Sequence, residues 1–135
     1  MELKDKIIVV TGAASGIGRA MCVRYAEEGA KHIACVDRDM AGAEETAKMM
    51  GGTAYQVDVA VKEQITSMID AVEADAGPID LFCSNAGISV AGGVEVEDDD
   101  WQRIWEINVM SHVWAARHLV PLMSARGGGY LLNTS

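Results

Sequence analysis

A glycine-rich turn between an apolar run and a helix-like segment constrains this chain more than any other feature. Residues 11–18 read Thr-Gly-Ala-Ala-Ser-Gly-Ile-Gly; the apolar run Ile7–Val10 precedes them and the segment Arg19–Glu28 follows. The free N–H groups and the dipole at a helix start favour a phosphate anion, and glycines let a ligand approach the main chain. Strand, glycine turn and helix in this order predict the dinucleotide phosphate site of an α/β domain.

The spacing of the glycines narrows the kind of site. Gly12, Gly16 and Gly18 form G-x-x-x-G-x-G, which differs from the common G-x-G-x-x-G, and no lysine follows them as a triphosphate loop requires. A second apolar run, Ile33–Val36, leads directly into Asp37. A ribose-binding acid is expected about 20 residues after such a turn, which makes Asp37 the candidate. A turn without any ligand is the alternative for the glycines taken alone.

Apolar runs and helical segments alternate along the rest of the chain. This alternation predicts one α/β domain over residues 1–135, built on a doubly wound parallel sheet. The predicted strands are Ile7–Val10, Ile33–Val36, Thr53–Val57, Ile79–Ser84 and Tyr130–Thr134. The predicted helices are Arg19–Glu28, Ala41–Met50, Lys62–Ala76 and Asp99–Met123.

The fourth predicted helix carries a polar residue near the centre of its expected core face. Residues that share this face at helical spacing are Trp101, Ile104, Trp105, Asn108, His112, Ala115 and Leu119. A buried amide needs partners, so Asn108 caps another group, holds a water or takes part in chemistry, and periodicity alone favours a structural role. Met110, Val113 and Trp114 make the opposite face more apolar than a solvated helix requires, which predicts a second packing partner.

Composition limits the partners and the compartment. The formal net charge of −9 argues against nucleic acid or an anionic membrane as partners. The charged start of the chain does not resemble a secretory signal and no apolar run reaches membrane-spanning length, so the expected location is cytoplasmic. Cys22, Cys35 and Cys83 lie in predicted helix or strand without a C-x-x-C pair, which favours buried free thiols over metal ligands or disulfides.

An acidic run, Glu95–Asp100, precedes the fourth predicted helix. Carboxylates at a helix start cap its N–H groups and suit its dipole, so this run is interpreted as a helix start rather than as a metal site. No other grouping of His, Cys, Asp or Glu predicts a metal site.

Together these motifs resemble the short-chain dehydrogenase/reductase family, and the resemblance covers the whole chain. Residues 11–18 are similar to the family's cofactor turn, and Ser84–Gly87 is similar to its Asn-Asn-Ala-Gly signature with Ser in the first place. The family implies a Rossmann fold with strand order 3-2-1-4-5 and a nicotinamide cofactor. The residues that the resemblance assigns to cofactor binding are Gly12, Ser15, Gly16, Ile17, Gly18, Asp37, Asp58, Val59, Asn85, Ala86 and Gly87.

The resemblance also implies a cofactor preference and a catalytic residue. Asp37 would bind the ribose hydroxyls and repel a 2′-phosphate, which favours NAD over NADP, although Arg38 would partly neutralise such a phosphate. Asn108 matches the fourth-helix asparagine of the family's catalytic tetrad, which orders a water in a proton relay. This match reverses the preference for a purely structural role.

The other members of that tetrad are a Ser and a Tyr-x-x-x-Lys pair. The family's Ser position falls one residue beyond Ser135, and the chain contains no Tyr-x-x-x-Lys. The chain is therefore interpreted as the amino-terminal, NAD-binding half of an oxidoreductase that transfers hydride between a nicotinamide and an alcohol/ketone substrate. It is expected to be truncated after the fifth strand and inactive alone. A non-catalytic NAD-binding module and an unstable gene fragment are the alternatives.

The family also implies how copies of the chain associate. Family relatives pair long helices across a subunit interface, so a homo-oligomer through the fourth helix is expected. The fifth strand, Tyr130–Thr134, is expected at an unpaired sheet edge with a leucine on each face, which adds a second apolar surface.

Overall fold

The central strand of the sheet is buried along its whole length. In the computed structural model, which describes residues 1–135, this strand pairs in parallel with a neighbour on each side. The strands are β1 (Ile7–Thr11), β2 (His32–Asp37), β3 (Thr53–Gln56), β4 (Leu81–Ser84) and β5 (Tyr130–Asn133). Their order is β3-β2-β1-β4-β5 and all pairs are parallel, which confirms the predicted fold class and strand order.

Helices cover both faces of the sheet. They are α1 (Gly16–Glu27), α2 (Met40–Met50), α3 (Lys62–Asp75), α4 (Asp98–Trp105) and α5 (Ser111–Ala125). Alternate residues of β1 enter different cores: Ile7 and Val9 pack with α3 and α5, whereas Ile8 and Val10 pack with α1 and α2. Because successive side chains of a strand point to opposite faces, the continuous apolar run of β1 serves two cores. No helix of the structure has both the length and the apolar character to cross a membrane.

The first helix begins earlier than the sequence pattern predicts. α1 starts at Gly16 rather than Arg19, so two of the turn glycines belong to its first turn. Its backbone N–H groups therefore start inside the glycine motif, next to the carboxyl end of β1. β4 begins later than predicted, at Leu81, because the Ile79 N–H donates to the Glu73 carboxylate at 2.9 Å and not to a neighbouring strand.

The prediction of one regular fourth helix is wrong. A π-helical turn, Glu106–Met110, lies between α4 and α5 in place of one regular helix. A π turn contains more residues than an α turn, so it rotates the preceding residues around the axis relative to those that follow. Trp101 and Trp105 are each 53% exposed and do not lie on the core face. The buried face is formed by Ile107, Ser111, Ala115, Leu119 and Met123, so the prediction is confirmed for Ala115 and Leu119, which follow the π turn.

The opposite face of this helix also differs from the expectation. Trp114 is half-buried and packs against the core of α3 and α5, so it is not part of an exposed apolar face, whereas Val113 is exposed. The acidic run before α4 provides three aspartates in the first helical turn, but the N-cap residue Glu97 makes no side-chain hydrogen bond. These acids suit the helix dipole without capping it.

β5 contrasts with the buried centre of the sheet. It lies at an edge, and each of its residues is exposed, including Leu131 and Leu132. Within these 135 residues β5 pairs with β4.

Candidate functional site

A cleft of about 410 Å³ opens at the carboxyl ends of the strands. Every strand contributes a lining residue at or just beyond its end: Gly12, Asp37, Val57, Asn85 and Thr134. In open parallel sheets, ligands bind outside this edge, near the point where the strand order reverses. All the residues predicted to bind a cofactor line this one cleft.

The amino terminus of α1 faces the cleft without a capping side chain. Ser15 is the N-cap residue in an extended conformation, its hydroxyl makes no capping hydrogen bond, and no acidic residue lies in the first turn. Ile17 is 66% exposed, so its side chain does not cover the turn from the cleft side. The first N–H groups of a helix have no partner within the helix, and here no side chain replaces one. These donors and the helix dipole are suited to an anion such as a phosphate.

Two glycines allow the turn to pack this closely. Gly12 has φ of +72°, and a Cβ there would lie 3.0 Å from the Ala86 Cα. A Cβ on Gly18 would overlap the Gly12 carbonyl oxygen. Glycine at both positions therefore brings the start of α1 against the end of β1 and leaves the main chain accessible.

Asp37 is held in place by two main-chain donors. Its Oδ2 accepts a hydrogen bond from the Ala14 N–H at 3.0 Å, and its Oδ1 accepts one from the Asp39 N–H at 2.9 Å. The side chain is half-buried at the end of β2 and lines the cleft beside Arg38. Each carboxylate oxygen can accept a further hydrogen bond, so an oriented acceptor pair is available to hydroxyl groups of a ligand.

A hydrogen-bond network joins the ends of β1, β4 and β5. The buried Thr11 Oγ1 accepts hydrogen bonds from the N–H groups of Asn85 and Ala86, both at 3.0 Å. The Asn85 side chain donates to the Thr11 carbonyl at 3.2 Å and accepts from the Thr134 hydroxyl at 3.0 Å. These bonds tie the turn that includes Gly87 to the ends of β1 and β5.

Asp58 and Val59 form another part of the wall. The Asp58 N–H donates to the Gln64 side chain at 2.8 Å, and Asp58 Oδ1 accepts from the Ala60 N–H at 2.9 Å. Val59 is buried and lines the cleft. Val59 adds an apolar group to this part of the wall, beside the locally hydrogen-bonded turn of Asp58.

Asn108 lies outside the lining of the cleft, and its amide bonds to the main chain. Its Oδ1 accepts from the Ile88 N–H at 2.9 Å and its Nδ2 donates to the Ile88 carbonyl at 2.8 Å. The side chain therefore holds the segment after β4 against the π turn. A structural role of this kind was one of the roles predicted for Asn108. The structure brings Asn108 to the edge of the site, and its catalytic role remains a prediction.

Several lining residues were not predicted from the sequence. They are Val57, Ile88, Arg103, Ile107 and Thr134. Arg38, which the sequence analysis placed beside a 2′-phosphate, also lines the cleft. Val57 and Thr134 could have been identified from the position of ligand sites at the carboxyl ends of parallel strands, since both residues directly follow a strand. Arg103 and Ile107 are four residues apart on one helical run, and only the packing of that run beside the cleft makes them neighbours of the turn. Thr11 was overlooked as well, although it opens the glycine motif.

Comparison with known proteins identifies the family. The family profile described as short chain dehydrogenase matches residues 6–135. The chain belongs to the short-chain dehydrogenase family. This assignment agrees with the order of the sheet, the glycine turn at the start of α1 and the acid at the end of β2.

Relatives of this short-chain dehydrogenase chain include enzymes with different substrates. A 3beta-hydroxysteroid dehydrogenase of Mediterraneibacter gnavus is 36% identical over 137 residues, which covers 97% of this chain and 49% of that protein. A D-threitol dehydrogenase of Mycolicibacterium smegmatis is 36% identical over 138 residues, which covers 98% of this chain and 53% of that protein. The chain spans about half the length of the curated relatives it matches.

A solved structure shows the same fold. The 3-ketoacyl-(acyl-carrier-protein) reductase of Brucella melitensis, complexed with NADH, superimposes with a TM-score of 0.90 at 33% identity. The match covers 97% of this chain and 57% of that one. The similarity extends through β5, so the whole described sheet belongs to the family fold.

Proposed function

We propose that this chain binds the adenosine diphosphate part of NAD(H) in the cleft at the carboxyl ends of its strands. The observation that carries the proposal is the position of Asp37, whose carboxylate is oriented by two main-chain donors in the same cleft as the uncapped start of α1. A dinucleotide needs both features, a donor-rich helix start for the pyrophosphate and an acceptor for the ribose hydroxyls. The NADH complex of the Brucella melitensis reductase supports the same assignment.

The shape of the cleft fits this ligand. Gly12, Gly16 and Gly18 leave the main chain of the turn open, and a side chain at Gly12 would meet the Ala86 backbone. Asp37 would hold the ribose, Ser15, Gly16, Ile17 and Gly18 would bind the pyrophosphate, and Asp58 and Val59 would contact the adenine ring. Asn85, Ala86 and Gly87 would form the wall between the adenosine and nicotinamide ends.

NAD(H) is the preferred form of the cofactor in this proposal. The charge of Asp37 opposes a 2′-phosphate, whereas Arg38 beside it reduces that opposition. One unfavourable charge contact is worth about 1–3 kcal/mol, which corresponds to roughly ten- to a hundredfold in affinity. Titration of the protein with NADH and with NADPH, followed by cofactor fluorescence, tests the preference. Tighter binding of NADPH would contradict it.

We propose that the longer protein to which such a segment belongs is an oxidoreductase acting on an alcohol/ketone pair. The bound nicotinamide would supply the hydride acceptor or donor. In that protein, these residues would bind and orient the cofactor. Asn108 and the π turn would hold the Ile88 segment beside it. The hydroxysteroid and threitol dehydrogenases among the relatives support this reaction class without naming the substrate.

The 135 residues by themselves should bind the cofactor without turnover. Reduction of a carbonyl requires a proton donor, and the family's Tyr-x-x-x-Lys pair does not occur in this sequence. Assays with alcohols and ketones in the presence of either cofactor should stay at the background rate. Activity that Asn108→Ala abolishes would show that another proton donor had been assembled. A non-catalytic binding module is the second candidate function, and the convergence of the predicted cofactor-binding residues on one cleft supports it.

We also propose that copies of the chain associate through the fourth helical run and β5. Trp101, Trp105 and Val113 are exposed on the helical run, and Leu131 and Leu132 are exposed on the edge strand. Burial of such groups gains about 25 cal/mol per Å², while the net charge of −9 opposes association at low salt. Light scattering across a salt series tests this, and a monodisperse monomer at moderate salt would show the proposal to be wrong.

A further inference from the structure

Three buried cysteines lie on the face of the sheet covered by α1 and α2. Cys22 belongs to α1, Cys35 to β2 and Cys83 to β4, and none of the three has exposed surface. In the sheet register, Val10 of β1 lies between Cys35 and Cys83. The side chains therefore share one core, yet they do not make equivalent contacts.

Cys22 and Cys35 contact each other, whereas Cys83 has a different partner. The sulfur atoms of Cys22 and Cys35 are 3.8 Å apart and share a hydrogen bond. The Cys83 sulfur lies 3.5 Å from the Tyr25 hydroxyl. The geometry thus separates one close thiol pair from a third thiol that is equally buried, and Cys83 provides an internal control.

We propose that Cys22 and Cys35 form an oxidisable dithiol, which a peroxide converts into a disulfide that links α1 to β2. One thiolate attacks an oxygen of hydrogen peroxide, the O–O bond breaks, and a sulfenic acid and one water result after protonation. The second thiol attacks the sulfenic sulfur and displaces a second water. Two thiols and one peroxide therefore give one disulfide and two waters; sulfur is oxidised and the peroxide oxygens are reduced.

The two thiols of the pair share one hydrogen bond. This bond and burial raise the pKa of Cys22, whereas the same bond lowers the pKa of Cys35 against the effect of burial. Burial raises the pKa of Cys83 to about 11, which makes that thiol the less reactive comparison.

The disulfide requires only a local movement. An S–S bond is about 2.05 Å long, so the two sulfurs must approach by less than 2 Å from their separation of 3.8 Å. Because both thiols are fully buried, the peroxide must enter through local opening of α1, and the reaction is slow compared with that of an exposed thiol. α1 starts at the glycine turn and β2 ends at Asp37, so the cross-link joins two of the elements that line the cleft.

Peptide mapping after oxidation tests the pair directly. The reduced protein is treated with hydrogen peroxide, the remaining thiols are alkylated, and the intact mass and the peptides are measured. We expect a mass loss of about 2 Da before alkylation, one alkylated cysteine, Cys83, and a peptide that links Cys22 to Cys35. A disulfide that includes Cys83, or stepwise oxygen addition without a cross-link, would overturn the proposal.

Matched variants and a denatured control exclude a chance pairing. Cys83→Ala should form the same cross-link, whereas Cys22→Ala should form none. In denaturing urea the selectivity should disappear and all pairings should occur. If Cys22→Ala does not fold, the peptide map of the unsubstituted chain still decides. An equal distribution of pairings in the folded protein would contradict the geometry.

A consequence for the cleft can be measured separately, and it rests on the proposed cofactor function. The cross-linked and reduced proteins are titrated with NADH, and the affinity of the cross-linked form is expected to be at least threefold different, with recovery after reduction. Absence of NADH binding to the reduced protein would contradict the proposed function and leave the mapped cross-link standing. Equal affinities of both forms would overturn the link between the dithiol and the cleft.

Discussion

The two sides of the sheet differ in how completely the chain surrounds them. β1 and β2 lie under α1 and α2. The turn between β1 and α1 is fixed by hydrogen bonds that the Ala13 N–H donates to the Val36 carbonyl and the Ala14 N–H donates to the Asp37 carboxylate. β5 is exposed at every residue, and α4 carries two tryptophans that are each 53% exposed. The first region is packed within this chain, whereas the second presents apolar groups that further contacts would bury.

The two regions also differ in how they take part in the cleft. The Asp37 side of the cleft is built from contacts around the glycine turn. The far side is joined to it by a few hydrogen bonds, which Asn85 donates to Thr11 and the Thr134 hydroxyl donates to Asn85. Substitutions in the turn should therefore affect stability and binding together, and substitutions on the far side should separate them.

The largest effect is expected at the glycine turn. In Gly18→Ala the added Cβ overlaps the Gly12 carbonyl oxygen, so α1 must move away from the turn. The free energy of unfolding, measured in urea, should fall by about 3 kcal/mol, and NADH binding should be lost. Gly51→Ala is the matched control: its φ is +74° but nothing lies near the added Cβ, so it should cost about 1 kcal/mol and leave binding intact. Equal costs for the two variants would contradict the close packing at Gly18.

The next effect tests the far side of the cleft. Asn108→Leu removes both hydrogen bonds to the Ile88 main chain and leaves the Ile88 N–H and carbonyl unpaired. Unfolding in urea should show a loss of about 1–3 kcal/mol, and hydrogen exchange at the Ile88 amide should accelerate. Gln102→Ala, which removes an exposed hydrogen bond to Glu106 on the same helical run, should change stability by less than about 0.5 kcal/mol. Unchanged exchange at Ile88 in Asn108→Leu would show that the amide does not hold this segment.

A smaller effect on binding, with a small loss of stability from the weakened contact to the turn, is expected at Asp37. Asp37→Asn keeps the shape of the side chain but removes its charge and one of its two acceptor oxygens, each of which bonds to a main-chain N–H. The affinity for NADH should fall about tenfold, and the preference for NADH over NADPH should decrease because the repulsion of a 2′-phosphate is lost. Asp39→Asn is the control, since Asp39 caps α2 through the Gly42 N–H at 3.2 Å and does not line the cleft. A larger loss in Asp39→Asn would place the ribose acid elsewhere.

The smallest effect concerns the free energy of unfolding at low pH, to which Glu73 contributes near the amino ends of the strands. Burial raises the pKa of Glu73, but hydrogen bonds from Arg126 and from the Ile79 N–H outweigh it and hold the pKa below its ordinary value. A carboxyl group whose pKa is lower in the folded state stabilises the protein at pH values above the ordinary carboxyl pKa. This contribution is lost as the pH falls through the folded-state pKa. In unfolding titrations below about pH 4.5, Arg126→Met should therefore show a weaker pH dependence, with a loss of about 1 kcal/mol at neutral pH.

The exposed pair between His118 and Asp70 provides the comparison for that titration. Its atoms are 2.7 Å apart, but the Asp70 side chain is 65% exposed. Asp70→Asn should change the neutral-pH stability by less than about 0.5 kcal/mol, because a side chain this exposed replaces the lost contact with water. A greater effect there than in Arg126→Met would show that burial does not govern these pairs.

The sequence by itself determined the order of the elements and the residues around the glycine turn. Alternating apolar runs and helical segments predict a parallel sheet, and the motif from Thr11 to Gly18 with Asp37 predicts which strand ends meet. These features are local: a glycine spacing and a buried strand act through their own backbone, so the sequence pattern contains most of the required information. For this reason the residues assigned to the cofactor lie in one cleft.

The tertiary structure alone decided the orientation of the helical run from Asp98 to Ala125. A helical wheel assumes a constant 100° per residue, and the π turn at Glu106–Met110 breaks that assumption. The π turn exposes Trp101 and Trp105, while the packing of the run brings Arg103 to the cleft and Asn108 to Ile88. Their contacts join residues far apart in the chain, and no local pattern specifies which backbone group a buried amide will meet.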